Sequence, residues 1–428
     1  MMKFVKSSYF VIPFLVIFIY VPYIRIGNMH FFLGYLTFFL PWLILIKNQK
    51  IRIDKEAKII LYFILFSFFI TLLTYIINLF DLVLPSPDIR GIKLHISIIF
   101  IFLSTYAIYT YLLKKKSTIQ FLKIIYFSAV INIFTILLLY SSQAFADVFY
   151  SVIDVNPKTF TYAILRYPGL LYDGASYLSV FNAFIFMIGL VIFYEDKHSN
   201  FMSKTILFLI QMLIVISLIF IGRAGFVIIG VGLVLFFIYA VYTKQLSKKS
   251  KLYKTSYLIT ASSILAILAL YIIDYLNMNW YIDWAFGFII NMFDGSGSTD
   301  SSVQELQNNH YFLPNGIFNI IFGLSDFQTT IYKTYSADPG YTIYIHGVGL
   351  IGLFAFLSFL FYILFFVAKN FSFNKPIAFL LIFIVISILI VNSKDFYIYY
   401  PYSHYILLFL LLFHFIDKVK ECRNAIQN

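Results

Sequence analysis

Cysteine is almost absent from this chain. Cys422 is the single one, so an internal disulfide and a cysteine-based metal site are both excluded. The seven histidines show no paired ligand spacing, and the sequence contains no DxD triplet. The acidic stretch "DGSGSTDSS" lacks the glycine spacing and the closing glutamate of a calcium loop. We therefore expect neither a metal nor a cofactor. Charge is also scarce: only 12% of residues are Asp, Glu, Lys or Arg. No Pro, Gly or Ser-rich linker separates parts of the chain and no internal repeat is visible, so residues 1–428 read as one integral membrane domain.

What fills the sequence instead is hydrocarbon. Of 428 residues, 61% are hydrophobic, and the mean hydropathy is +0.89. A soluble core cannot hide that much apolar surface. The runs are long and unbroken, not short and alternating, which favours helices over a membrane barrel. They predict an all-α polytopic protein with about twelve transmembrane helices. The expected spans are 8–24, 30–46, 58–80, 94–113, 119–140, 175–194, 203–221, 224–242, 255–275, 339–367, 376–392 and 399–416. The first resembles a signal peptide but has no small-x-small cleavage site and contains Pro13, so it reads as an uncleaved span.

Charge sets the orientation. With both termini cytoplasmic, most of the 31 Lys and Arg residues fall in inner segments such as Lys114–Lys116 and Lys244–Lys254. The outer segments hold only Arg25, Arg90, Lys93, Lys158, Arg166, Arg223, Lys333 and Lys394. Basic inner loops facing anionic lipid account for the net charge of +12, so nucleic acid is not an expected partner.

Two outer loops are long, 141–174 and 276–338, the latter lying between the ninth and tenth spans. It carries Asp283, Asp294, Asp300, Glu305, Asp326 and Asp338. Within it, residues 279–293 hold Trp280 and Trp284 one turn apart, which suits either an interfacial helix or a buried loop helix. Polar complexity gathered outside points to work at the outer membrane face.

The stretch "YSADPGYTIYIHGVGLIG" (335–352) opens the tenth span. Asp338-Pro339 reads as a helix start, with Asp338 as cap and Pro339 in the first turn. Asp338, Thr342, His346 and Gly349 then fall along one stripe leading into the bundle. Asp338 is either a cap or a site residue. His346 is either an interhelical hydrogen-bonding group or a functional one. "GVGLIG" matches GxGxxG, but no strand precedes it, so small residues for close packing explain it better than a dinucleotide site. Of the outer arginines, Arg223 stands in a turn too short to be a loop. Arg166 lies in "ILRYPGLLYDGASYLS" and Arg90 in "PSPDIRGIKLH". Guanidinium groups at headgroup level either anchor to lipid phosphates or converge on a lipid diphosphate.

These pieces together resemble the Wzy-type O-antigen polymerases and, more distantly, the O-antigen ligases. "LRYPGLLYDGASYLS" is similar to the family's Arg-x-x-Gly stretch at Arg166 and Gly169. "GRAGFVIIG" resembles its Arg-small-Gly turn at Arg223 and Gly225. "NIIFGLSDF" followed by "SADPGYTIYIHGVGLIG" resembles its late-loop pattern at Gly323, Asp338, Gly340, Tyr341 and Gly349. The chain departs from the family where Pro339 replaces the usual Ser, and where Gly347 follows His346 in place of the ligases' Asn. The resemblance implies a GT-C-like glycosyltransferase in the bacterial inner membrane. It would move a growing glycan from undecaprenyl diphosphate onto the terminal sugar of a new lipid-linked repeat unit, with membrane lipid around it and a chain-length regulator as partner. His346, Asp338 and Arg223 are then the expected catalytic residues. Arg166, Arg223, Arg90, Tyr341 and Tyr172 are the expected diphosphate or glycan contacts. The alternatives are an O-antigen ligase and, in another class, a flippase or transporter of lipid-linked oligosaccharide.

Overall fold

A computed structural model describes residues 8–20, 22–26, 29–32, 53–80, 87–114, 116–155, 167–171, 175–196, 199–243, 310–329, 339–395 and 404–415. Seven of the described helices are long and apolar enough to cross a membrane, and three further helices are apolar but shorter. On that length and composition the chain is a mostly helical, multi-pass membrane protein. The spans expected at 255–275 and over most of 30–46, and the helix expected at 279–293, lie outside the described residues. Except at 30–32, every other expected span coincides with a helix, to within about a turn where its ends are described.

The chain packs as two compact units, Met1–Gly34 with Ser117–Ser301, and Tyr35–Lys116 with Ser302–Asn428. In the first unit, α1 (Ser8–Tyr20) leads into strands β1 (Tyr23–Ile26) and β2 (Met29–Phe32). Helix α4 (Thr118–Ser141) is followed after one residue by α5 (Gln143–Val152) and strand β3 (Ile153–Asp154). Helices α6 (Ala175–Glu195), α7 (Phe201–Ile221) and α8 (Ala224–Tyr242) complete the described part.

Three short strands stand beside the helices and leave the mostly helical, polytopic class unchanged. They form a three-stranded sheet in the order β2-β1-β3, with Arg25 opposite His30 and Tyr23 opposite both Phe32 and Asp154. Residues 30–32, expected to open a span, belong to strand β2 here. Only Gly27-Asn28 separates β1 from β2, a dipeptide suited to a two-residue hairpin, and "MHFF" reads equally well as strand or helix. Arg25 and Asp154 bridge β1 and β3 at 2.7 Å.

Local chemistry explains where these helices begin. Ser117 and Gln120 form a reciprocal capping box at the start of α4. Asn200 accepts from the Ser203 amide at 2.9 Å to start α7. α6 is the buried centre of this unit, enclosed over most of its length, and it packs on α4, α7 and α8. Gly189 permits that approach, since a Cβ there would strike Gln211 and Tyr126. At the lysine-rich end, Lys123 on α4 pairs at 2.6 Å with Asp196, which follows α6.

In the second unit, α2 (Lys55–Leu79) and α3 (Arg90–Ile108) run side by side. α3 ends in a wider turn, Tyr109–Leu113, closed by the Lys114 amide donating to the Tyr109 carbonyl at 2.8 Å. Short helix α9 (Ile317–Phe322) packs against α10 (Gly340–Lys369), which also contacts α2 and α11 (Lys375–Val391). α12 spans His404–Phe415. Lys114 and Asp54 approach to 3.8 Å at the end of the unit opposite Arg90.

Candidate functional site

The tenth expected span is broken. Gly349 sits inside α10 at φ 68° and ψ −175°, outside helical geometry, so Gly340–Lys369 is two helical pieces joined at this residue. The break releases carbonyls that a continuous helix would use. The His346 carbonyl instead accepts from the Leu324 amide at 2.7 Å and the Asp326 amide at 3.3 Å, and the Gly347 carbonyl from the Ser325 amide at 3.0 Å. The segment after α9 therefore completes the span's own hydrogen bonding.

Glycine makes this contact close enough. A Cβ on Gly349 would run into the backbone of Ile321 and Gly323, and one on Gly323, at φ 81°, into Val348 and the Gly349 amide. Phe327 then seats its ring over Gly91 of α3 and Gly347 of α10, where side chains would collide with it. α2 holds the segment from another side: Thr74 donates to the Phe322 carbonyl at 3.0 Å and Asn78 to the Gly323 carbonyl at 3.2 Å. The Asp88 amide donates to the Ser325 carbonyl at 3.0 Å, and the Ser325 hydroxyl to the Asp88 carbonyl at 3.2 Å. Ser325 and Thr329 also carry positive φ, 53° and 57°. Of the four left-handed residues in this packed cluster, Ser325 and Thr329 carry side chains, and there the fold holds strain.

Polar side chains converge on this cluster. Arg90, the first residue of α3, donates its amide to Asp88 at 2.9 Å, and its guanidinium lies 3.7 Å from the Asp88 carboxylate. With the Gln328 amide oxygen turned toward it, the Arg90 guanidinium also donates to Gln328, from Nε at 3.0 Å. The side chain keeps 58% of its surface exposed, so an external anion can reach it. The Gln328 amide donates to Asp326 at 3.1 Å, and Asp326 is buried against the His346 backbone. His346 is fully buried, its Nε2 at 3.2 Å from the Phe312 carbonyl and its ring edge-on to Phe312 at 5.0 Å. A carbonyl only accepts, so Nε2 carries the proton and Nδ1 is the basic nitrogen.

Thus Arg90, Gln328, Asp326 and His346 form one continuous path across this end of the second unit. Of the expected site residues, Arg90 and His346 lie on it. Tyr341 is occupied nearby: its hydroxyl donates to the Leu389 carbonyl at 2.6 Å and its amide to the Asn392 carbonyl at 3.3 Å, tying α10 to α11. Asp338, Arg166 and Tyr172 lie outside the described residues. The cap at the start of α10 is Pro339, in extended geometry, and not Asp338 as expected. The stripe Thr342–His346–Gly349 is buried, but it ends at Gly349, where the helical register is lost.

Arg223 belongs to the first unit. It is the half-buried residue immediately before α8, in the turn that follows Gly222. Gly225 packs so closely that a Cβ would meet the Ser179 carbonyl, and its amide donates to the Ser179 hydroxyl at 3.1 Å. The residues just after Arg166 are fixed by α4. Gly169, at φ 65°, rests on Asn132, whose amide oxygen accepts from the Leu170 amide at 2.7 Å. Removing that acceptor leaves a buried donor unsatisfied. Asn132→Ala should therefore cost about 1–3 kcal/mol, measured as a lower melting temperature of the purified protein.

Two histidines that no paired spacing marks belong to a second feature of the second unit. A cavity of about 80 Å³ is lined by Phe63, Ser67, His95, Tyr344, Phe356 and His404, among others. His95 Nδ1 lies 2.8 Å from the Gly91 carbonyl and Nε2 2.8 Å from the Ser67 hydroxyl, so the neutral ring with its proton on Nδ1 satisfies both. An ionisable residue within an apolar run is itself the signal that finds His95. Among the described residues, no three His, Cys, Asp or Glu side chains gather as metal ligands would.

The fold and this cluster define a multi-pass membrane protein with a broken span, completed by the segment that follows α9. No protein-family model matches the chain, and neither a curated protein nor a solved structure shows significant similarity to it.

Proposed function

We propose that the protein is a glycosyltransferase of the bacterial inner membrane that polymerises lipid-linked repeat units at the outer face. The observation that carries this reading is the docked segment 317–329, which joins an accessible arginine, a buried carboxylate and a histidine with a basic Nδ1 at one end of the second unit. Glycosyl transfer from a lipid diphosphate needs those groups. Cationic donors stabilise the departing diphosphate, and a base accepts the proton of the acceptor hydroxyl. In this reading Arg90 binds the diphosphate beside the docked segment; a diphosphate role for Arg166 and Arg223, in the first unit, rests on the resemblance alone. His346, or else Asp338, takes the acceptor proton as the sugar oxygen attacks the anomeric carbon and undecaprenyl diphosphate leaves. His346 is buried under Phe312, so the acceptor reaches it only when residues 310–314 lift away. The chain's order of motifs, Arg-x-x-Gly, Arg-small-Gly and the late Gly-Tyr-rich helix start, supports the same reading.

The test is a gene deletion scored by the lipopolysaccharide ladder, complemented with wild type, Arg90→Ala, Arg166→Ala and Arg223→Ala. We expect collapse of the ladder to core plus a single repeat unit, with wild type restoring it and the arginine variants failing. Loss of even that single unit would instead indicate a ligase or a flippase.

A second reading has its own support. A discontinuous helix beside a cavity that holds His95 and His404 is an arrangement used by transporters. It requires His95→Phe to stop movement of lipid-linked oligosaccharide across the membrane. The polymerase reading requires the same variant to leave the flipped repeat unit available.

A further inference from the structure

We propose that α5 (Gln143–Val152) is an interfacial anchor that rests on the bilayer surface, with its partner the boundary between lipid headgroups and acyl chains. The proposal rests on the multi-pass character of the chain and is independent of the enzymatic reading.

The helix begins where a span ends. Ser142 alone separates it from α4, in an extended conformation (φ −145°, ψ 108°). Its amide closes α4 on the Leu138 carbonyl, and its side chain caps α5 by accepting from the Phe145 amide at 3.3 Å. The level of α5 is thus fixed at the end of a membrane-crossing helix, opposite the lysine-rich end at Lys116–Lys123. At its other terminus the chain enters β3, which pairs with β1, so both ends of α5 are tied to the first unit.

Around its axis α5 shows three sectors. One is turned to the protein: Ala146 is buried, and Phe149 and Tyr150 are half-buried. There Tyr150 stacks on Tyr167 at 6.3 Å, and Tyr140 stacks on Phe220 at 3.9 Å. Burial raises the Tyr150 phenol above its ordinary pKa, so it stays a neutral ring. The second sector is polar and exposed: Gln143, Asp147 and Ser151, with Gln143 donating to Asp147 at 2.9 Å. The third sector is apolar and still exposed, roughly 100° wide. It consists of Phe145, Val148 and Val152 at 38%, 69% and 49% exposure, with Ala144 beside them.

A helix on a water-facing surface would carry polar groups on both outer sectors. One with a protein side, a water side and a lipid side carries this pattern. α5 has no lysine or arginine. Its attraction to lipid is therefore apolar, and it needs neither anionic headgroups nor low salt.

The test uses the full chain in phosphatidylcholine nanodiscs, with Cys422→Ser as background so that each introduced cysteine carries the only spin label. Labels at Val148→Cys and Val152→Cys should be readily relaxed by oxygen and shielded from a polar nickel chelate. A label at Ser151→Cys should show the reverse, and raising the salt should change neither. Equal access of the chelate to 148, 152 and 151 overturns the proposal. So does a strongly immobilised label at 148 and 152 that neither reagent reaches, which would mean that protein covers the face. Two sites on the apolar sector keep the experiment decisive if one variant fails to fold.

Discussion

Replacing Gly349 with alanine is expected to lower the melting temperature of the purified protein further than alanine at Gly91, Gly189 or Gly352, where an added Cβ meets only side chains. Two costs combine. The residue sits at φ 68° and ψ −175°, a region that side chains enter at about 1–3 kcal/mol. A Cβ would also strike backbone, the Ile321 carbonyl and the Gly323 amide, which cannot rotate away as a flexible side chain can. If α10 relaxes toward a continuous helix to relieve this, the Leu324, Ser325 and Asp326 amides lose their acceptors and the segment undocks. Each buried donor so orphaned adds about 1–3 kcal/mol. Gly323→Ala should behave alike, because its Cβ meets the same contact from the other side. Gly230→Ala is the matched control. It lies within α8 with nothing in reach of a Cβ, so it should be neutral or gain up to about 1 kcal/mol from helix propensity. Thermal melts followed by size-exclusion chromatography would rank the three. Equal melting temperatures for Gly349→Ala and Gly230→Ala would refute the docked-segment account.

Asp326→Asn is expected to have the largest effect on activity for the smallest change in shape. The buried carboxylate closes a turn with the Gln328 amide, and an asparagine side-chain oxygen can do the same. What asparagine lacks is charge next to His346, with which Asp326 interacts electrostatically as well as through its backbone. If His346 takes the acceptor proton, it becomes an imidazolium in the transition state, and the carboxylate stabilises that cation. Its loss should cost about 10²–10⁴ in kcat, with KM nearly unchanged. A polymerisation assay with purified lipid-linked repeat units would measure both. A melting temperature close to wild type would show that the loss is not unfolding. Full activity in Asp326→Asn would remove His346 and Asp326 from the reaction.

Much of this architecture is legible in the sequence, because hydrocarbon length is a strong signal. The spans at 118–141, 175–195, 201–221 and 224–242 need little beyond counting apolar residues. The sheet is not legible: "YIRI" and "MHFF" are short, apolar and equally at home in a helix. Nor is α5, since "QAFADVFYSV" is too short and too polar for a span and merges into a long loop. At the candidate site, Arg90 and His346 stand out because charge is rare in the segments expected to face outward and histidine is rare in a span. Asp326 is one acid among six in a loop, and nothing local marks it. Its importance comes from contacts between residues far apart in sequence, which periodicity cannot show. Pro339 displaces Asp338 as the cap because extended geometry at Pro339 begins the helix one residue later than the dipeptide suggests.

The break at Gly349 also imposes an order on how the protein is made. When Gly340–Lys369 first meets lipid, the carbonyls of His346 and Gly347 need partners, and hydrocarbon offers none. The stretch must then insert as an unbroken rod. Only after residues 324–326 fold back against α2 and α3 can the rod divide at the glycine. Maturation of the second unit thus ends in a late conversion, after insertion of its spans, and a translation product stopped within the bilayer would hold a straight helix where the finished protein has two.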